Sequence, residues 1–66
     1  MRVHFDRESG VLYFRLDDSR IVASEEVKPG IVLDFNEQNQ VVGVEILDVG
    51  KRVPGASLKQ MHFEVA

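Results

Sequence analysis

Three carboxylates stand among apolar residues in "IVLDFNEQNQVVGVEILD", residues 31–48: Asp34, Glu45 and Asp48. Acids in such a setting point to two kinds of chemistry. A pair brought together can share a proton, or act as acid and base on either side of a substrate held in a cleft. Joined by His4 or His62, the two histidines of the chain, they become oxygen and nitrogen donors for a divalent cation. Other chemistry has little to work with. There is no cysteine nucleophile. Ser9, Ser19, Ser24 and Ser57 lie near turns or strand ends, where a hydroxyl serves the backbone. Neither a GxGxxG nor a GxxxxGK[ST] stretch occurs to cradle a phosphate. Asp34, Glu45 and Asp48 are therefore the candidate polar site, and no catalytic residue, metal ligand or cofactor is assigned.

Whether these acids meet depends on the strands that carry them. Val3 and Phe5, then "DRESG", then Leu12, Phe14 and Leu16 alternate with period two about a turn cluster. Gly10 can supply the positive φ that closes a short loop. Pairing Phe5 with Leu12 and Val3 with Phe14 puts one apolar face on this hairpin. His4, Val11, Tyr13 and Arg15 take the other face. "DDS" at 17–19 is a second turn, 21–27 reads as a strand, and Pro29-Gly30 ends it. Ile31–Phe35 and Val41–Leu47 form a second hairpin across "NEQNQ", with Asn39 suited to a left-handed turn position. Ser57 and Gln60 match a capping box and predict one helical turn over 57–61. Met61, Phe63 and Val65 alternate with His62 and Glu64, as in a final strand. The expected fold is a single domain over residues 1–66. It is mainly β (β-rich α+β), an antiparallel meander of about five strands built on two hairpins, with one short C-terminal helical turn and a final strand.

The second hairpin's register decides the fate of the acids. A three-residue loop, Glu37-Gln38-Asn39, pairs Asn36 with Gln40, Phe35 with Val41, Leu33 with Gly43 and Ile31 with Glu45. Asp34 then faces Val42, on the opposite side of the sheet from Glu45. A two- or four-residue loop shifts the pairing by one and places both acids on the same face. The three-residue loop is preferred, because an αL residue in its third position is a recurrent hairpin solution. In it the acids are polar positions on a partly covered sheet, or partners of Arg15, Arg20 or Lys51.

The same register makes the second hairpin apolar on both sides. Ile31, Leu33, Phe35, Val41 and Leu47 take one face; Val32, Val42, Val44 and Ile46 take the other. Strands apolar on both sides need cover on both sides. A homodimer is therefore expected, with Val32, Val42, Val44 and Ile46 as the candidate interface.

Bulk properties narrow the setting. Sixty-six residues make a small core without help, and the absence of cysteine excludes disulfides and thiolate metal sites as that help. Oligomerisation is the remaining route. A net charge of −3, with the basic residues scattered, disfavours nucleic acid as a partner. The aromatic residues, four Phe and one Tyr, sit mostly at alternating apolar positions, as in a core. No signal-like start and no membrane-length apolar run is present, so a cytoplasmic protein without a membrane partner is expected.

Three motifs in order, "FDRESGVLYFRL", "EVKPGIVLDFNEQNQVVGVEILDVGKRV" and "LKQMHFEV", resemble those of domain-of-unknown-function family 2283, small bacterial proteins. The resemblance spans almost the whole chain. It departs at Asn39, where the family's turn usually carries glycine, and at "DVGKRV". It implies a small β-rich cytosolic protein and carries over no catalytic residue. The function expected is a non-enzymatic protein-binding or assembly module, acting as a homodimer and antitoxin-like toward an unidentified, basic protein partner. The alternative is a small hydrolytic or metal-binding protein, with acids and His4 or His62 at a dimer seam.

Overall fold

The computed structural model describes residues 1–52 and 60–66. Five antiparallel strands form one sheet: β1 (Arg2–Asp6), β2 (Val11–Arg15), β3 (Ala23–Lys28), β4 (Ile31–Phe35) and β5 (Val41–Ile46), in the order β1-β2-β5-β4-β3. The mainly β, antiparallel architecture expected from the alternation is present. The β1–β2 hairpin has the expected register, Phe5 opposite Leu12 and Val3 opposite Phe14. Its loop closes with Gly10 at φ 73° and a 2.9 Å bond from the Gly10 N–H to the Asp6 carbonyl. Pro29-Gly30 turns β3 into β4: proline presets φ at the first corner, and Gly30 takes φ 80° at the second.

The β2–β3 connection does not join neighbouring strands. Residues 16–22 carry the chain past β5 and β4 to the far edge. They are tied down on the way by Leu16 N–H to the Val42 carbonyl and Val22 N–H to the Phe35 carbonyl, both 2.8 Å. The Arg15 guanidinium also donates to the carbonyls of Asp17 and Ser19. A short helix, α1 (Val49–Arg52), follows β5, and its Val49 N–H bonds the Gly10 carbonyl at 3.0 Å. The helical turn expected over 57–61 falls largely outside the described residues. Residues 60–66 are exposed and form no strand.

The β4–β5 hairpin departs from the expected register at one place. Its loop is the three-residue one: Asn36 N–H bonds the Gln40 carbonyl, Asn39 N–H bonds the Asn36 carbonyl, both at 3.0 Å, and Asn39 takes φ 61°. Asn36 is 4 % exposed. Its side-chain oxygen accepts from the N–H groups of Gln38 and Gln40, while its amide donates to the Gln40 side chain. Phe35 opposes Val41, as the loop requires. A β-bulge between Asp34 and Phe35 then absorbs Val42, so Asp34 opposes Gly43, Leu33 opposes Val44 and Val32 opposes Glu45.

That one extra residue sorts the sheet into an apolar and a polar side. Two apolar rows run across four strands: Val3, Phe14, Val44, Leu33, and Phe5, Leu12, Ile46, Ile31. They end at Glu25 and Lys28 on the β3 edge. The expectation that the second hairpin is apolar on both faces is therefore corrected. Val42, Val44 and Ile46 share a side with Ile31 and Leu33, whereas Val32 lies on the other. Among the described residues the fully buried apolar side chains are Val42 and Val49. Most of the two apolar rows is half-buried.

Candidate functional site

On the polar side the registers build two further rows across all five strands. One reads Arg2, Arg15, Gly43, Asp34, Ser24; the next reads His4, Tyr13, Glu45, Val32, Glu26. Asp34 and Glu45 sit in adjacent rows of adjacent strands. The expectation that they lie on opposite faces is overturned, and the bulge is the cause. Asp48 does not join them. It stands beyond the end of β5 at φ 49°, beside Gly10. Among the described residues no group of three His, Asp or Glu side chains is placed to hold a metal ion.

The centre of the polar side is an absence. Gly43 lies between Arg15 and Asp34 on the middle strand, and neighbouring side chains fill the room it leaves. A Cβ built there would stand 2.8 Å from the Tyr13 hydroxyl oxygen and 2.9 Å from Oδ2 of Asp34. Both polar groups lean over the bare backbone, and Asp34 is 2 % exposed. Ser24 Oγ donates to Asp34 Oδ1 at 2.5 Å, and Arg15 Nη1 donates to the Tyr13 hydroxyl at 3.4 Å. Among the described residues the hydrogen-bond partner of Asp34 is thus Ser24; of the two alternatives drawn from sequence, pairing with Arg15, Arg20 or Lys51 is not the one present.

Glu45 completes the group. Its carboxyl is held above the usual glutamate value by burial first, then by a hydrogen bond to Asp34, then by the negative charge of Asp34. Each cause favours a proton on Glu45, and a protonated Glu45 donates to the Asp34 carboxylate. Two acids on one side of adjacent strands raise the cost of ionising both. The site is poorly placed to process a substrate, because Asp34 is shut away from solvent.

A shallow cavity of about 440 Å³ borders this group, lined by Arg2, Val3, His4, Tyr13 and Arg15. Its cations are engaged by the chain itself. Arg2 pairs with Asp18 at 3.1 Å, and Arg15 donates to Tyr13 and to the carbonyls of Asp17 and Ser19. These contacts offset the unfavourable opposition of two arginines across β1 and β2. The reading from sequence missed Tyr13, Ser24 and Gly43. A signal existed for the last: an isolated glycine inside a strand marks a bulge or a close approach. Ser24, on an edge strand of mostly polar residues, carried no such mark.

Among the described residues no helix is long and apolar enough to cross a membrane. Comparison with known proteins gives one result. The family model described as "Protein of unknown function (DUF2283)" matches residues 2–49, which is the sheet and the start of α1. No curated protein and no solved structure matches the chain.

Proposed function

Since the chain belongs to this family of proteins of unknown function, we propose that it is a non-enzymatic assembly module, a cytoplasmic homodimer joined through the apolar side of its sheet. The observation that carries this reading is the pair of apolar rows, eight side chains of which none is fully buried. Contiguous apolar surface of that kind is rare on a monomer. A standard interface buries about 800 Å² on each partner, which a sheet face of this kind can supply. Glu25 and Lys28 at the β3 edge give the patch a charged rim.

The interface then comprises Val44 and Ile46 of the expected set together with Phe14, Leu12 and Leu33. Val42 lies beneath them and Val32 is outside it. An antitoxin-like partnership, in which the acidic dimer neutralises a basic protein, rests on the net charge of −3. A small basic protein encoded beside this one that co-purifies with it would support that extension.

Light scattering coupled to gel filtration at low micromolar concentration is the test. The wild type should run as a dimer, and Val44→Asp as a monomer with native circular dichroism. Val44 is half-buried in the single chain, so a carboxylate there reaches water in the monomer and loses it only in the dimer. The expected weakening is at least about 2 kcal/mol, roughly thirtyfold in Kd. A wild type that is monomeric at this concentration defeats the proposal.

A further inference from the structure

We propose that Asp34 and Glu45 form a pH-sensitive latch across the β4–β5 seam, closed by one proton shared between the two carboxyl groups and loosened when that proton leaves. The geometry carries the argument. Gly43 leaves room that the Asp34 carboxylate fills, and the bulge turns Asp34 and Glu45 to one side in adjacent rows. Burial of Asp34 denies it the water that would disperse a second negative charge. With the proton in place, Glu45 donates to Asp34, while Ser24 donates to Asp34 from the other flank. Without it, two carboxylates stand on one side of the sheet in adjacent rows of adjacent strands, one of them 2 % exposed.

Among the described residues, no ion pair or hydrogen bond brings a cation to Asp34 or Glu45. From β2, the acids are faced by Tyr13 and by Arg15, whose guanidinium is committed to Tyr13, Asp17 and Ser19. From β1, Arg2 and His4 stand a strand further out, with Arg2 tied to Asp18. The β2–β3 connection brings Asp17 and Asp18 as further negative charge. From β3 come Ser24 and Glu26, the latter adding negative charge at the end of the Glu45 row.

The sign follows from proton linkage. A carboxyl that holds its proton more tightly folded than unfolded contributes stability that is complete below its ordinary value of 4.5. That stability is lost as pH rises through the raised value. Across that window the folding constant falls by up to about tenfold per pH unit, the limit for one proton. Asp6 and Asp17 act in the opposite sense. Asp6 is held below the ordinary aspartate range by the Ser9 hydroxyl and then the Glu8 N–H, and Asp17 by the Ser19 hydroxyl and then its N–H. Their contributions fade only as pH falls through those lowered values, which separates them from the Glu45 window.

The experiment is a carbon-detected titration of the side-chain carboxyls in the full chain, with urea unfolding followed across the same pH range at one protein concentration. Glu45 should titrate above its ordinary value, and wild-type stability should fall through that titration. Glu45→Gln, whose amide can donate to Asp34 without titrating, should lack that fall. The proposal is overturned if Glu45 in the wild type titrates at its ordinary value. It is equally overturned if Glu45→Gln retains the same decline. The wild-type titration decides the matter by itself should the variant not fold.

Discussion

Substituting Gly43 by alanine puts a single methyl group at the centre of the polar side, and the structure says what it meets. The nearest atoms are the Tyr13 hydroxyl oxygen at 2.8 Å, Oδ2 of Asp34 at 2.9 Å and Cβ of Asp34 at 3.3 Å. The two neighbours differ in their freedom to move. Tyr13 borders the cavity of about 440 Å³ and can swing toward it. Asp34 is 2 % exposed and held by Ser24, so its carboxyl moves only by stretching that bond. Overpacking of this kind costs about 1–3 kcal/mol, and weakening a hydrogen bond to a charged group costs up to about 1.5–3 kcal/mol. Replacing a strand glycine returns about 0.5–1 kcal/mol of backbone entropy. With Tyr13 able to yield, Gly43→Ala should destabilise by about 2–3 kcal/mol, which lowers Tm by roughly 8–24 °C in a domain of this size. The assay is thermal and urea unfolding by circular dichroism at one fixed protein concentration, since association would add its own contribution. Gly50→Ala is the matched control. Gly50 lies in α1 with nothing among the described residues within 4 Å of a built Cβ, so alanine there should be neutral or stabilising by up to about 1 kcal/mol. Adding Tyr13→Phe to Gly43→Ala removes the closest contact and should recover part of the loss. A Gly43→Ala protein as stable as wild type would refute the reasoning, because Asp34 and Tyr13 would then not be packed against the bare backbone.

Two further tests address the hairpin and the core. Asn39→Gly should keep wild-type stability to within about 0.5 kcal/mol, while Asn39→Val should lose about 1–2 kcal/mol, because φ 61° suits glycine and asparagine and strains a branched side chain; urea midpoints separate the two. Val42→Ala should cost about 2 kcal/mol, since Val42 is 0 % exposed and two methyl groups leave a packed site at the bulge; a loss below about 0.5 kcal/mol would show that the site collapses around the smaller residue.

Much of this fold can be read directly from residue spacing. Apolar alternation places β1 and β2 in register to the residue, and Pro29-Gly30 and Asn39 mark turns that form where they stand. Even the loop of the second hairpin, with Phe35 opposite Val41, follows from the αL preference of Asn39. The placement of the acids does not, because it depends on Val42 being accommodated as an extra residue between two well-formed pairs. A bulge there is favoured by what it achieves across strands that are distant in sequence. It sends Val44 to the side of Phe14 and Leu33, and Glu45 to the side of Tyr13. Local pattern holds no record of that choice, since "VVGVEI" alternates acceptably in either register. Sequence reading thus named Asp34 and Glu45 together and then separated them by a single step of pairing. Asp48 fails as a member for a simpler reason: it lies past the end of β5, where the chain turns into α1.

The bulge also sets a rule of parity for the second hairpin. Its three-residue loop and its one extra residue in β5 are matched, and together they keep every side chain from Val42 to Ile46 on its proper side. Lengthening the segment by a single residue while the three-residue turn and the bulge both persist would exchange the two sides of β5. Val44 and Ile46 would then be carried among the polar rows, and Glu45 among the apolar ones. Insertions between Phe35 and Val41 that keep this turn therefore preserve the sides in steps of two, or in steps of one when the bulge is lost at the same time. The odd residue at position 42 works as a counter that ties the length of an exposed loop to which side of the sheet is apolar and which is polar.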